Sequence, residues 1–476
     1  MVCLLDRPFR ADCVEGGLVL VSRLRKGLNR VSDAVRTQLW PLPTFAVLIA
    51  VLLGIGLPEL DRRIDADLPD SVTAYLFGGG ASAARTVLDA IASSLITVTA
   101  LTFSLTVVTL QLASSQFSPR LLRTFSRDRF VHVTLAIFLA TFTYALTALR
   151  TVRDPTEDQS LFVPQVSVTV AFLLALASVV ALVLFLAHLV REIRVETMLH
   201  NVHRAASATT RRVLTQRDGG DPGGPVELPV PPENATSLPA GTSGFLVSAS
   251  EDALLAAALD ADAVVLIDRY PGSSLVAGTP LGLAWPASAG SFEADAVVRL
   301  RGRVADAITT GFERTEDHDV AFGLRQLGDV ACKALSPGIN DPTTAIHALG
   351  HMSALLCQLA GHDLGPLLLR DEQGSVRVVL QRPDLADLLE VALTQPRRYG
   401  AGDPLVLGRL LTLLRELAWS IQLTEQREAV GAQLDRLRTT IAAQDFDPSE
   451  NARLDQLTTL VEQALAGRWV PDTATW

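Results

Sequence analysis

Apolar residues gather into four long runs early in the chain and into short periodic stretches after them. The runs are Trp40–Leu57, Leu88–Ala113, Phe130–Leu149 and Val166–Val190. Each approaches or exceeds the ~20 residues that cross a bilayer as a helix. A buried core helix would explain any one of them. Four in succession, with charged connectors between, predict a four-helix transmembrane domain over residues 40–190 behind an N-terminal segment 1–39. Beyond it the pattern changes to an Arg-rich membrane-exit helix and a Gly/Pro-rich linker over residues 191–243, where "QRDGGDPGGPVELPVPPENATSLPAGTSG" (216–244) has little periodicity.

Short strand-like runs follow at Gly244–Ser248, Ala263–Arg269, Ser274–Ala277 and Leu281–Trp285, parted by the turn dipeptide Pro271-Gly272 and by Gly278-Thr-Pro280. They predict a small β module over residues 244–290. From residue 291 to 476 the spacing is mainly helical, with runs such as "ADAVVRLRGRVADAITTGF", "DVAFGLRQLGDVACKAL" and "PTTAIHALGHMSALLCQLA". A hairpin over Leu367–Leu380, turning at Asp371–Gly374, interrupts them. The expected fold class is therefore an integral membrane α-helical protein with four transmembrane helices. A cytoplasmic α+β domain completes it, with a small β-barrel-like module and a mainly helical C-terminal part.

Charge orients this scheme. Basic residues precede the first run (Arg23, Arg25, Lys26, Arg30, Arg36), separate the second from the third (Arg120, Arg123, Arg127, Arg129) and follow the fourth (Arg191, Arg194, Arg204). The other two connectors are acidic, with Glu59, Asp61, Asp65, Asp67 and Asp70 in one and Asp154, Glu157 and Asp158 in the other. The positive-inside rule predicts a multi-pass protein of the cell membrane with both termini cytoplasmic. No cleavable signal peptide is visible, so the first run is expected to act as an uncleaved anchor, and residues before about Val21 are open to being an upstream-start artefact. A net charge of −10 without a dominant basic stripe argues against nucleic acid as a partner. The four cysteines (Cys3, Cys13, Cys332, Cys357) form no metal or disulfide spacing, in keeping with a reducing compartment.

Candidate chemistry is sparse. In the second run, Ser93, Thr97, Ser104, Gln111 and Ser115 fall within one narrow arc at 100° per residue, and Thr99, Thr102, Thr106, Thr109 and Gln116 form a stripe nearly opposite. Serine and threonine in membrane helices often bond their own i−4 carbonyl, so they prove little alone, but an amide in hydrocarbon needs a partner or water. The first arc is the candidate pore lining, and a centrally packed helix of a closed bundle is the alternative. In the helical part, Arg325, Asp329 and Lys333 make a ladder of alternating charge opposite an apolar face, either a solvated surface or an inter-subunit or inter-domain network. His347 and His351 stand four apart on a predicted helix, a weak metal pair without a third ligand in reach by spacing. His200 and His203 are expected on a solvated face. Glu316-Asp-His-Asp319 is expected to be a solvated helix start, capped by Asp319. There is no P-loop, no GxSxG and no kinase set, so no catalytic constellation and no cofactor are expected.

The stretch "LSPGINDPTTA" is expected to be a corner between helices. Ser336, Pro337 and Gly338 stop one helix, Asn340 sits in the turn, and Asp341-Pro342 starts the next with Asp as N-cap and Pro at the first helical position. Asp403-Pro404 and Asp447-Pro448 repeat that start. The segment "YPGSSLVAGTPLGLAWP" resembles the turn pattern of biotinyl- and lipoyl-type barrel-sandwich modules. Those modules carry their prosthetic group on a hairpin lysine, and the only lysines here are Lys26 and Lys333, so a structural barrel is expected instead. The strings "VAFGLRQLGDVACKALSPGINDPTTAI" and "LQLASSQFSPRLLRTFSRDR" resemble the bacterial predicted-membrane-protein family catalogued as domain of unknown function 2254, over roughly Thr37–Ala418. The resemblance implies four spans and a cytoplasmic C-terminal domain, and brings no activity. Two functions are therefore expected to compete. One is an oligomeric channel-like or transport protein, a homo-oligomer in the lipid bilayer with a cytoplasmic regulatory domain. The other is a membrane-anchored regulator or scaffold whose cytoplasmic domain binds a protein or small-molecule ligand.

Overall fold

The computed structural model describes residues 40–64, 76–116, 128–153, 162–192, 194–217, 228–288 and 290–472. The chain divides into two compact units, residues 1–193 and 194–476.

The first unit contains four helices long and apolar enough to cross a membrane: α1 (Pro41–Ile64), α2 (Ala81–Gln116), α3 (Arg129–Leu149) and α4 (Gln165–Glu192). Helix α3 is central, since half of its most apolar stretch is buried against 22% for each of the others. Its core is built from small residues, Ala50, Ala84, Ala145, Ala148 and Ala171 around Leu88 and Tyr144. Small side chains bring helices close where lipid supplies no hydrophobic drive toward association. At Gly54 a Cβ would lie 2.7 Å from that of Thr147, so the α1–α3 crossing depends on glycine there.

The ends of this unit are fastened by polar contacts. Asp61 on α1 is buried and accepts hydrogen bonds from the backbone N–H groups of Val166 (3.2 Å) and Ser167 (3.0 Å) and from the Ser167 hydroxyl (2.7 Å). It thereby satisfies amides of the first turn of α4 from a neighbouring helix. At the opposite end Asp128 caps α3 through the N–H of Phe130 (2.8 Å), and its second oxygen lies 2.5 Å from Nε2 of His188 on α4. Deeper in, Tyr144 donates to the carbonyl of Ser167 at 3.1 Å, and the Thr141 and Ser178 hydroxyls meet at 3.2 Å. Helix α1 runs on to Ile64, so Glu59 and Asp61 are helical and not part of the acidic connector expected from their charge. The remaining connector charges, Asp65, Asp67, Asp70, Asp154, Glu157, Asp158, Arg120, Arg123 and Arg127, lie outside the described residues.

The second unit starts with α5 (Val195–Val213) and is mixed α/β. Its strands are β1 (Thr236–Pro239), β2 (Gly244–Ala249), β3 (Ala263–Ile267), β4 (Ser274–Leu275), β5 (Pro280–Pro286), β6 (Ile308–Gly311), β7 (Leu367–Arg370) and β8 (Val376–Leu380). They do not close into the expected barrel. Five form an open sheet in the order β1-β5-β3-β8-β7 and three form a second sheet, β4-β2-β6. All pairs are antiparallel except β3 with β8, which run parallel with Val265 opposite Val378. Long-range pairing with the β7–β8 hairpin is what opens the module, because β3 has its second edge occupied by β8 and cannot curl back on its neighbours. Helices α6 (Glu251–Asp260) and α7 (Ala294–Ala307) share a core with the strands, built on Leu246, Leu254, Val265, Ile267, Leu300 and Val378.

The rest is helical: α8 (Phe322–Ala334), α9 (Pro342–Ala360), α10 (Leu385–Tyr399), α11 (Pro404–Ser420), α12 (Thr424–Ala442) and α13 (Pro448–Leu465). Leu324, Leu327, Met352, Leu355, Leu410, Leu414 and Val461 are buried among them, and each fully buried aliphatic side chain of this kind contributes roughly 1.5–3 kcal/mol. Asp341, Asp403 and Asp447 cap α9, α11 and α13, each followed by proline in the first turn.

Candidate functional site

The candidate pore lining lies on α2. An unbroken run of helix-permitting residues carries two polar faces because hydroxyls recur at helical spacing on both sides. The structure separates the two. Thr99, Thr102 and Thr109 are buried against the other helices; the Thr99 hydroxyl donates to the Leu95 carbonyl (2.6 Å) and that of Thr109 to the Leu105 carbonyl (2.9 Å). The opposite arc is uncovered: Ser93, Thr97, Ser104 and Gln111 are all exposed on the unit's surface. The side chains of Ser115 and Gln116 lie outside the described residues. Within this arc Thr86, Ala90, Ser93, Thr97, Ala100, Ser104, Val107 and Gln111 succeed one another in alternating steps of four and three, and every one is exposed. That seam is about 37 Å long at 1.5 Å per residue. Ser93 and Thr97 donate to the carbonyls of Ala90 (3.3 Å) and Ser93 (3.0 Å). Their own helix thus satisfies them, and their small size is what remains for a neighbour to use.

In the second unit the structure brings two separate histidine pairs together. His200 and His203 lie on α5, His347 and His351 on α9, and the rings of His203 and His351 are 5.4 Å apart between centroids. Nδ1 of His203 stands 3.3 Å from the His351 carbonyl oxygen. His203 is half-buried rather than solvated, because α5 buries Met198, Leu199, Val202 and Ala206 in the second unit. Beside these rings is an open groove of about 430 Å³ whose lining includes Glu196, His347, His351 and Arg409. Arg409 is held by Glu416 at 3.0 and 3.2 Å. Burial lowers the pKa of His351, and the neighbouring His203, His200 and His347 lower it further. Among the described residues no three His, Cys, Asp or Glu side chains converge as metal ligands.

The corner between α8 and α9 has the expected parts. Asp341 accepts from the Thr344 N–H (3.1 Å) and hydroxyl (2.5 Å), bonds that hold its carboxyl below the usual range. The Asp341 N–H in turn donates to the carbonyl of Ala334 at 2.8 Å. Asn340 turns the chain in the left-handed region (φ 51°). Of the charge ladder, Arg325 and Asp329 are half-buried and only Lys333 is exposed, so it is not a solvated face. Asp319 is also buried: its Oδ2 accepts from Nη2 and Nε of Arg314 (2.6 and 3.1 Å) and its Oδ1 from the N–H of Ala321 (3.1 Å), which corrects the solvated helix start expected there.

Residues 36–416 match the family described as Predicted membrane protein (DUF2254). The chain belongs to that family. It is 36% identical over 456 residues to the uncharacterized protein Mb1321c of Mycobacterium bovis and equally to Rv1290c of Mycobacterium tuberculosis, covering 94% of this chain and 85% of each relative. No solved structure matches it. In this DUF2254 chain both described thiols are poor nucleophiles, since burial and then Asp329 push Cys332 up to about 12, and burial raises Cys357. Sequence reading missed Asp61 as a structural residue. It stands among Glu59, Arg62 and Arg63 at the end of α1, so nothing in the sequence set it apart from its charged neighbours.

Proposed function

We propose that this membrane protein is an oligomer in which α2 of each copy meets α2 of another along its uncovered seam, forming a channel-like or transport assembly regulated by a cytoplasmic domain. The observation that supports it is that seam of small residues, left bare by the three other spans. Small-residue rows at this spacing let membrane helices approach closely, and alternating steps of three and four keep two helices in register along a shared axis. Gln111 ends the seam with an amide that gains from a partner or water. The satisfied hydroxyls of Ser93 and Thr97 favour a second reading, a membrane-anchored regulator whose seam only dimerises and whose cytoplasmic domain binds a protein or small-molecule ligand.

The test uses cysteines at positions 97, 104 and 111 in the full chain, with controls at Leu101 and Phe103, exposed apolar positions outside the seam. The channel reading expects reaction with a water-soluble thiol reagent at the three seam positions, protection at the controls, and ion flux in liposomes. Disulfide cross-linking between copies without labelling or flux would select the tethered regulator. The absence of both cross-linking and labelling would overturn the seam as a contact.

A further inference from the structure

A cavity in the second unit has a composition and position that no comparison assigns. It holds about 190 Å³ and opens where the parallel strands β3 and β8 end, room for about six waters at ~30 Å³ each. Ligands of sheets with parallel strands are commonly held at the carboxyl ends of those strands, where successive loops diverge and leave a crevice. Here the loop after β3 contributes Arg269 and Tyr270, and the segment after β8 contributes Arg382. The end of α5 adds Arg212, the approach to α8 adds His318, and the first turn of α6 adds Glu251.

Each arginine at the cavity has a carboxylate, but the pairs differ in strength. Asp319, beneath the cavity, is neutralised by Arg314, whose Nε and Nη2 both donate to its Oδ2, and Glu251 is matched by Arg382 at 2.8 Å. Arg269 faces the half-exposed Asp268 carboxylate at 3.4 Å, and Arg212 faces that of Asp317 at 3.9 Å while its Nη2 also donates to the Asp317 carbonyl at 2.5 Å. Such exposed pairs are weak and exchange partners at little cost. Just past the lining Pro271, a Cβ at Gly272 (φ 91°) would stand 2.1 Å from the Asp319 carboxylate, so the chain is brought against the buried pair at a position that only glycine fits. The remaining walls are largely apolar, with Leu214, Val320 and Leu380 among them.

We propose that this cavity binds a small organic oxyanion, a carboxylate or phosphoester, whose charged group is held by Arg212 and Arg269 and whose body lies on the apolar walls. Guanidinium groups keep their charge at any working pH and match planar or tetrahedral oxyanions bidentately. The inference is independent of the reading of the spans.

Thermal unfolding of the full chain in detergent, titrated with citrate or inorganic phosphate against chloride at equal ionic strength, tests it. A saturable rise in Tm beyond chloride is expected. Arg212→Ala with Arg269→Ala should weaken the midpoint by about tenfold or more, the loss of one or two charge-assisted hydrogen bonds, while Lys333→Ala leaves it unchanged. If the double variant does not fold, Arg269→Ala alone, half-exposed and paired only with its neighbour, should still weaken it by about threefold. No rise beyond chloride, or an equal rise in the folded arginine variants, would overturn the proposal. Citrate and phosphate acting differently would identify which oxyanion the site prefers.

Discussion

At His351 the protein favours a neutral ring: burial lowers its pKa below the ordinary 6.5, and His203, His200 and His347 add to the effect. Glu196 from α5 and Arg409 from α11 are the other charged groups at the groove beside it. The sign follows from proton counting. Between the folded and unfolded pKa values the unfolded chain binds more protons than the folded one, so stability rises with pH. The contribution of His351 is thus fully present above the unfolded value of about 6.5 and is lost as pH falls from there toward the folded value. Tm of the full chain is expected to be lower at pH 5 than at pH 7.5, and His351→Gln, which cannot titrate, should flatten that difference. An unchanged slope in the variant would remove His351 from the account. Each histidine pair is legible in the sequence as a helical spacing of three or four. Their meeting is not, because it depends on the packing of α5 against α9, two helices about 150 residues apart in sequence.

At the scale of elements, the Ser336–Pro342 corner shows what local chemistry determines. Proline after an aspartate fixes a helix start from a few neighbouring atoms, and all three Asp-Pro starts stand where the residues place them. Asp341→Ala should therefore cost about 0.5–2 kcal/mol through the lost cap, with Asp341→Ser nearer the parent. Chemical denaturation of the two variants measures this, and equal losses in both would assign the residue some role other than capping. Elements whose identity is set at a distance were less legible. β6 continues the apolar period of α7 and reads as helix, but it is drawn out by pairing with β2. β1 hides in a proline-rich stretch and becomes a strand by pairing with β5. The ten residues of α6 lie among strand-like runs and carry too little periodicity to announce a helix. The four spans were legible because length and apolarity are local properties. Their ends were not, since α1 and α2 carry charged and polar residues beyond the apolar stretch at ends fixed by neighbouring helices.

For the whole molecule the structure and the charge pattern supply different halves of one argument. Asp61, near the C-terminal end of α1, holds the N-terminal end of α4, so these two ends share one side of the spanning unit. Asp128, at the N-terminal end of α3, meets His188 near the C-terminal end of α4, which places those two ends together on the other side. The start of α1 and the end of α4 therefore face the same way, and the described helices alternate in direction. The flanking arginines favour the side where α4 ends as the cytoplasmic one, because in the sequence the basic segments precede α1, separate α2 from α3 and follow α4, the pattern of the positive-inside rule. We expect reporter fusions within residues 65–75 and 154–161 to register outside, and fusions after Arg194 or at the C-terminus to register inside. Replacing Arg120, Arg123 and Arg127 with glutamine should reduce that bias without altering the helices, since arginine near span ends steers insertion more than it stabilises the bundle. An outside reading for both the 65–75 fusion and the C-terminal fusion would contradict the shared side fixed by Asp61 and so break the four-span unit itself. The two readings exchanged together would leave that unit intact and reverse only its orientation.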